Sequence, residues 1–480
     1  MKSIKNKTQY FLLTTLMLVF VTQMHAQKQQ WGSRFDYDVK NELAPKLVMI
    51  DNYNYYLLTV VNTTGMMASN QILLRKFDQK NNLVETIKHR FPELEGGGTL
   101  HNFLGSFDLG TDRAVVFTQS YSSKSKRDVI SQHVFDKATQ QFTTSIVTEY
   151  PIASVYKSGD VTVKRSPNGN RIVLHYKVPA SKKESEVNYV FALNGQTLAV
   201  DWKKEVRFDI GFYTRSMTVT NSGNAVLLRL PHSYKLDNYL VEITAEGQKD
   251  LTVGENLKLH DPYSVSIGDH DYLLAFNYPS KGIRRGDFGH LLFYDLKNGS
   301  ILANNEIKGF NSEITIETAL IRDVLLQNDE IYVFTEAKVD VTPKPTPGTM
   351  GFPEKKFTFG PSFLFTLGFD GKLKKTNPFP KGTVGEAELF QSFGLVRGNS
   401  DLYVQTGLYN GFFKWNYLFN NEELARTISF HFYDDNREGV RVRYVNQLLH
   451  YFRDKDAFLF SKITTTDKDQ MSFGTFSEVK

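Results

Sequence analysis

"VKRSPNGNRIVLHYKV", residues 163–178, sets a polar turn directly before a run that alternates apolar and polar side chains. Ser166 to Asn170 supplies residue types that favour tight turns. Arg171 to Val178 has the period-two pattern of a β-strand. The pattern recurs as "DNYNYYLLTVV" (51–61), "GTDRAVVFTQ" (110–119), "NSGNAVLLRL" (221–230) and "GDHDYLLAFNY" (268–278). It continues as "QNDEIYVFTEA" (327–337), "GNSDLYVQTG" (398–407) and, more weakly, "RDKDAFLFSK" (453–462). Anchored at Tyr56, Ala114, Arg171, Ala225, Tyr272, Ile331, Leu402 and Ala457, the units are spaced by 58, 57, 54, 47, 59, 71 and 55 residues. A period of this size is the signature of a repeat architecture.

Each unit offers a third strand ending in a turn of Asp, Asn or Gly, as in "LLRKFDQKNN", "SQHVFDKATQ", "YVFALNGQT" and "LLFYDLKNGS". These residues tolerate the backbone of tight hairpins. A fourth strand follows in most units, as in "TLAVDWKKEVRF". The best helical candidate, "NEELAR", sits inside a hairpin. Four antiparallel strands repeated without helices predict an all-β fold, a β-propeller. Eight blades are expected, with seven, and the last unit packed elsewhere, as the alternative. The chain stops after three strands of the last unit, so "GSRFDYDVK", centred on Ser33–Lys40, is expected to supply the fourth and close the ring. Closure of that kind removes exposed sheet edges.

Residues 1–26 have the form of a signal peptide: Lys2, Lys5 and Lys7, an apolar run from Tyr10 to Val21, and a small residue, Ala26, at a plausible cleavage point. The apolar run is shorter than the roughly 20 residues a membrane span needs. The expected product is a single propeller domain over 27–480, exported to the periplasm or the cell exterior. The net charge of +5 falls to +2 for residues 27–480, because residues 1–26 hold three lysines and no acid, and this argues against nucleic acid as a partner. The chain has 0 cysteines, so neither disulfides nor a lipobox lipid anchor is expected. Hydrophobic residues at 41%, with 37 Phe and 24 Tyr, favour strands and allow a large core.

The unit 165–195, "RSPNGNRIVLHYKV" followed by "NYVFALNG", resembles the repeat of TolB-type, WD40-like propellers of bacterial envelopes. The resemblance is specific in that unit and loose in the others, where Ser-Pro is absent. It implies the propeller fold and a role as a docking platform.

Several apparent sites reduce to turn chemistry. "GDHD", Gly268–Asp271, occupies the same hairpin as "GTDR" and "NSGN", and His175 lies mid-strand as a satisfied histidine. The chain has no zinc-binding His-Glu-x-x-His, phosphate loop, Gly-x-Ser-x-Gly elbow or calcium loop. No catalytic residue, metal ligand or cofactor is assigned.

What remains is a set of loops between second and third strands, which share one face of a propeller: 120–128, 178–187, 231–238, 278–290 and 338–359. Together they hold thirteen Lys and Arg against seven acids. Lys124, Lys126, Arg127, Lys182, Lys183, Arg284 and Arg285 could pair with carboxylate or sulfate groups. His232, Tyr234 and His290 lie among them, and unit seven replaces the basic loop with "LYNGFFKW", including Phe412 and Trp415, whose rings could stack on sugars. The proline-rich 338–360 reads as a lid or docking arm. The expectation is a noncatalytic interaction propeller binding a protein or an anionic polysaccharide. The alternatives are a propeller-type polysaccharide lyase using His232, Tyr234, Arg285 and His290, or a structural part of an envelope export or motility complex.

Overall fold

The computed structural model describes residues 28–62, 70–94, 101–122, 124–152, 158–181, 183–232, 238–254, 257–279, 289–307, 319–340, 357–379, 392–398, 402–405, 411–416, 421–429 and 439–477. The expected signal peptide, 1–26, lies outside them.

Seven sheets are four-stranded, antiparallel and built from consecutive strands. Blade one comprises Glu42–Val48, Asn54–Val61, Gln71–Asp78 and Leu83–Arg90, and blade two His101–Asp108, Arg113–Ser122, Arg127–Asp136 and Gln141–Pro151. Blade three comprises Asp160–Arg165, Arg171–Lys177, Glu186–Asn194 and Val200–Phe208, and blade four Phe212–Val219, Ala225–Pro231, Tyr239–Ile243 and Gln248–Leu251. Blade five comprises Leu257–Ile267, His270–Pro279, Gly289–Asp295 and Ser300–Ile307. Blade six comprises Ala319–Gln327, Glu330–Asp340, Phe357–Gly368 and Leu373–Phe379, and blade seven Gly394–Arg397, Leu402–Gln405, Gly411–Asn416 and Asn421–Ser429. "NEELAR" is therefore strand, and the described residues contain no α-helix, only a short 3-10 turn at Arg453–Lys455.

The expectation of eight four-stranded blades is corrected, since seven sheets have that form. The eighth sheet has six strands drawn from both ends of the chain. Arg441–Tyr444 and His450–Phe452 both pair with Ala457–Thr465, so its inner row is broken in two. Asp469–Ser477 follows, and Lys28–Trp31 and Phe35–Asp36 both pair with it as a divided outer row. The N-terminus thus closes the sheet, but the pairing begins upstream of Ser33 and stops at Asp36. This composite sheet lies between blades seven and one, packing Tyr451, Phe458 and Phe460 against Val396 and Tyr403 on one side. On its other side Leu459, Ile463 and Phe473 pack against Tyr55, Leu57 and Phe77.

Close fit fixes the N-terminal strand. A Cβ on Gly32 would fall 1.9 Å from the Asn81 carbonyl oxygen, so only glycine fits beneath blade one's last hairpin. Asn81 is held there by hydrogen bonds: its Nδ2 donates to the Gln30 carbonyl at 3.2 Å, and it accepts from the Tyr55 hydroxyl at 3.2 Å. Trp31 fills the space over Gly474, edge-on to Phe460 at 4.7 Å, with the Lys462 ammonium 4.4 Å from the Trp31 ring centroid.

The second strands explain why the opening stretch is more apolar than simple alternation requires. Ile172, Val173, Leu174, His175 and Tyr176 are all buried. Ile172, Leu174 and Tyr176 pack on blade two, and Val173 packs on blade four. A strand covered on both faces reads as a continuous apolar run. The first strands of blades one to six pack side by side as an inner row. Five of them, in blades one, two, four, five and six, carry a register shift. Such bulges bend a strand and re-aim a side chain.

Phe35 sits 5.2 Å from Phe77 and 6.3 Å from Phe473, ring to ring, at the point where the chain ends meet. We expect Phe35→Ala to lower the unfolding free energy by about 3–5 kcal/mol, and deletion of residues 28–36 to lower it further. Denaturant unfolding checks both, and an unchanged midpoint for the deletion would refute closure by this segment.

Candidate functional site

The two faces of the ring differ in how their polar groups are occupied. On the face of the first-to-second and third-to-fourth turns, side chains cap the hairpins. Asp78 accepts from the Lys80 and Asn82 amides, each at 2.8 Å, and Asn194 from the Gln196 and Thr197 amides at 3.0 and 2.9 Å. Neighbouring blades are tied there too: the Asn168 amide donates to Asn221 Oδ1 at 2.8 Å, and the Ser222 hydroxyl to Asp271 Oδ2 at 2.8 Å. Asp271 of "GDHD" is thus a turn ligand for blade four. Among the described residues no three His, Cys, Asp or Glu side chains gather as a metal-binding group.

The opposite face carries the second-to-third loops. Lys124 and Lys126 stand exposed in a tight turn of blade two, with Lys126 at a φ of 52°. Arg127 opens the third strand, exposed and ion-paired with Glu149. Lys183 is exposed on blade three, and His232 is exposed on blade four, its ring 5.1 Å from Tyr213. These side chains belong to successive blades. Lys182, Tyr234, Arg284 and Arg285 lie outside the described residues, as does 341–356 of the proposed arm.

Two expectations for this face are corrected. His290 belongs to the third strand of blade five, opposite Asn277 and Glu306, because the strand extends almost to the end of the presumed loop. Phe412 and Trp415 likewise lie in the third strand of blade seven, opposite Gln405 and Leu402. The last five residues of "LYNGFFKW" thus belong to the strand Gly411–Asn416. Two of the four residues considered for a lyase centre, Tyr234 and Arg285, lie outside the described residues.

The sequence reading missed the buried ties beneath these loops. Asp128, counted as a loop acid, is fully buried and reaches blade three, accepting from the Gly159 amide and the Ser158 hydroxyl at 2.8 Å and the Tyr176 hydroxyl at 2.9 Å. Glu186 occupies the corresponding place on blade three and reaches blade four. It accepts from the Thr214 hydroxyl at 2.6 Å, the Asn188 amide nitrogen at 3.0 Å and the Arg229 guanidinium. Asn238 repeats the device one blade on, bonding both the N–H and C=O of Leu259 at 2.9 Å. The signal was present: a polar residue stands at the head of the third strand in "RDVI", "SEVNY" and "DNYLV". Burial of Asp128 and Glu186 also removes two of the seven loop acids from the exposed surface.

Burial alone would push the Glu186 carboxyl up, but donors from Thr214 and Asn188 and the Arg229 charge hold it below the ordinary range. Arg229 is fully buried, 4.1 Å above the Phe208 ring. Removing one member of a buried pair strands the other. We expect Glu186→Ala to cost about 3–5 kcal/mol, with the additional substitution Arg229→Met recovering part of that loss in denaturant unfolding.

Three buried histidines give the fold an acid limit. His133 stands between blades one and two, with Nε2 3.0 Å from the Thr118 hydroxyl and Nδ1 2.9 Å from the Thr144 hydroxyl. Burial lowers its pKa to about 3, with His89 and His101 adding to the shift. Burial lowers His101 and His175 to about 4.

No family model matches the chain, and no curated protein matches it. Solved structures do. The propeller domain of the Trilobed protease from Pyrococcus furiosus aligns at 10% identity and a TM-score of 0.38 over 84% of this chain and 99% of that one. The Dos1 propeller aligns at 7% and 0.43 over 94% and 95%. The WD40 domain of SCAP from fission yeast aligns at 9% and 0.38 over 94% and 98%. The sheet order given above carries the fold assignment.

The buried histidines make stability depend on pH in a definite direction. Above the unfolded value near 6.5 both states are neutral; below it only the unfolded chain takes up protons, until the folded values near 3 to 4 are reached. We expect stability to fall as pH drops from 6.5 toward 4, by up to about 1.4 kcal/mol per unit for each histidine. His133→Gln should flatten the acid limb of a melt series, and an identical slope would refute this origin.

Proposed function

We propose that this chain is an exported, noncatalytic binding platform that takes an anionic partner, an acidic polysaccharide first among them, on the face of its second-to-third loops. The observation that carries the reading is the contrast in that face: Lys124, Lys126 and Lys183 are exposed, whereas Asp128 and Glu186 beneath them are buried and consumed by ties between blades. Exposed cations over a rigid base favour carboxylates or sulfates spaced along a chain. A propeller is a general interaction scaffold, which fits this use. The basic and then apolar residues 1–26 support export to the periplasm or cell exterior. The likeness of 165–195 to TolB-type repeats supports an envelope setting.

Electrophoresis of the mature chain through gels containing neutral, carboxylated or sulfated polysaccharide tests the reading. We expect retardation by the charged polymers only, weakened by salt through screening, and largely lost in a Lys124→Gln, Lys126→Gln, Lys183→Gln triple variant. Equal migration in all gels would refute a polysaccharide partner. Release of unsaturated products would overturn the noncatalytic reading in favour of a lyase.

A further inference from the structure

A small cleft of about 190 Å³ lies between blades three and four, where their inner strands meet the loop face. Asp160, Thr162, His175 and Lys177 line it from blade three, and Thr214, Arg215 and Ser216 from blade four. Its volume is below the roughly 300–1,000 Å³ of sites that enclose a drug-sized ligand. It is many times the about 10–15 Å³ that one water requires. That is room for one polar head group and a few waters.

Two of the donors around it, Arg215 and the Ser216 hydroxyl, have no hydrogen bond among the described residues. Arg215 is the extra residue of the bulge in blade four's inner strand: Thr214 pairs with Arg229 and Ser216 with Leu228, leaving Arg215 with no residue opposite. Its side chain is exposed. The Ser216 hydroxyl is buried without a partner. Lys177 is ion-paired with Asp160, which occupies one of its three N–H donors.

His175 completes the wall. The Asn188 Nδ2 donates to Glu186, which turns the amide oxygen toward His175 Nε2 at 2.6 Å. Nε2 can donate to that oxygen, and no hydrogen bond to Nδ1 is found among the described residues. The charged groups facing this imidazole are Asp160 and Lys177 within its own blade, Glu186 through Asn188, and Arg215 and Arg229 from blade four.

We propose that this cleft is a subsite for a single oxyanion group, a carboxylate, sulfate or phosphate, recognised by Arg215, Lys177 and the Ser216 hydroxyl. The polymeric source of that group rests on the binding reading above; the cleft's chemistry does not.

Inorganic sulfate, phosphate and acetate, titrated calorimetrically into the whole mature chain at constant ionic strength against chloride, test the proposal. We expect saturable binding. Arg215→Gln should weaken it by about tenfold or more, the scale of one charge-assisted hydrogen bond. Arg215 makes no hydrogen bond or ion pair among the described residues, so this variant should keep the parent's melting temperature. Absence of saturation by all three ions, or equal binding by Arg215→Gln, would overturn the subsite. If the ions bind through Arg215 but no polymer retards the chain, the polysaccharide reading fails and the small-anion site stands. If polymers retard the chain and Arg215→Gln binds the ions as the parent does, the loop face stands and the cleft does not.

Discussion

A propeller blade whose second strand is buried on both faces cannot be stable alone. Ile172, Leu174 and Tyr176 need blade two, and Val173 needs blade four. The same dependence runs from each sheet to the next until it reaches the composite sheet, where Tyr55, Leu57 and Phe77 of blade one meet Leu459, Ile463 and Phe473. Everything else in the molecule relies on that seam being shut. In a chain with 0 cysteines the seam has no covalent brace. Backbone pairing of Lys28–Trp31 and Phe35–Asp36 with the last strand, together with close packing at Gly32 and Gly474, holds it instead.

Much of this was legible because hairpin turns and twice-buried strands leave strong local marks. The second strands begin within two residues of the anchors read from sequence, from Asn54 in blade one to Ala457 in the last sheet. The last sheet was harder to read. Its inner row is interrupted between Tyr444 and His450, and its outer row between Trp31 and Phe35, so neither shows a full strand's periodicity. Loop boundaries failed for a related reason: blade five's second strand runs on to Pro279, and the third strands of blades five and seven begin at Gly289 and Gly411, so His290 and Phe412 read equally well as loop.

The exposed lysines of the second-to-third loops were legible in composition, and the burial of the acids beneath them was not. Counting charges treated Asp128 and Glu186 as equivalent to exposed acids. Only three-dimensional neighbours reveal that each is spent on the next blade. His175 is the buried, hydrogen-bonded mid-strand histidine that its position implies. No local signal distinguishes Arg215, because a bulge depends on the register of two strands.

These parts divide labour in a way that suits a binding protein. One face is occupied by its own turn contacts, whereas the other rests on buried ties and leaves its cations exposed. Asp128, Glu186 and Asn238, at the heads of third strands, tie each blade to the inner edge of the next.

The dependence of the whole ring on its closing strand is best tested by native-state hydrogen exchange. The amides that pair across Trp31–Gly474 and Phe35–Met471 should exchange only through global unfolding, at the same free energy as those of Ala457–Thr465. Exchange of the N-terminal strand at much lower free energy, with the other sheets still protected, would contradict the account.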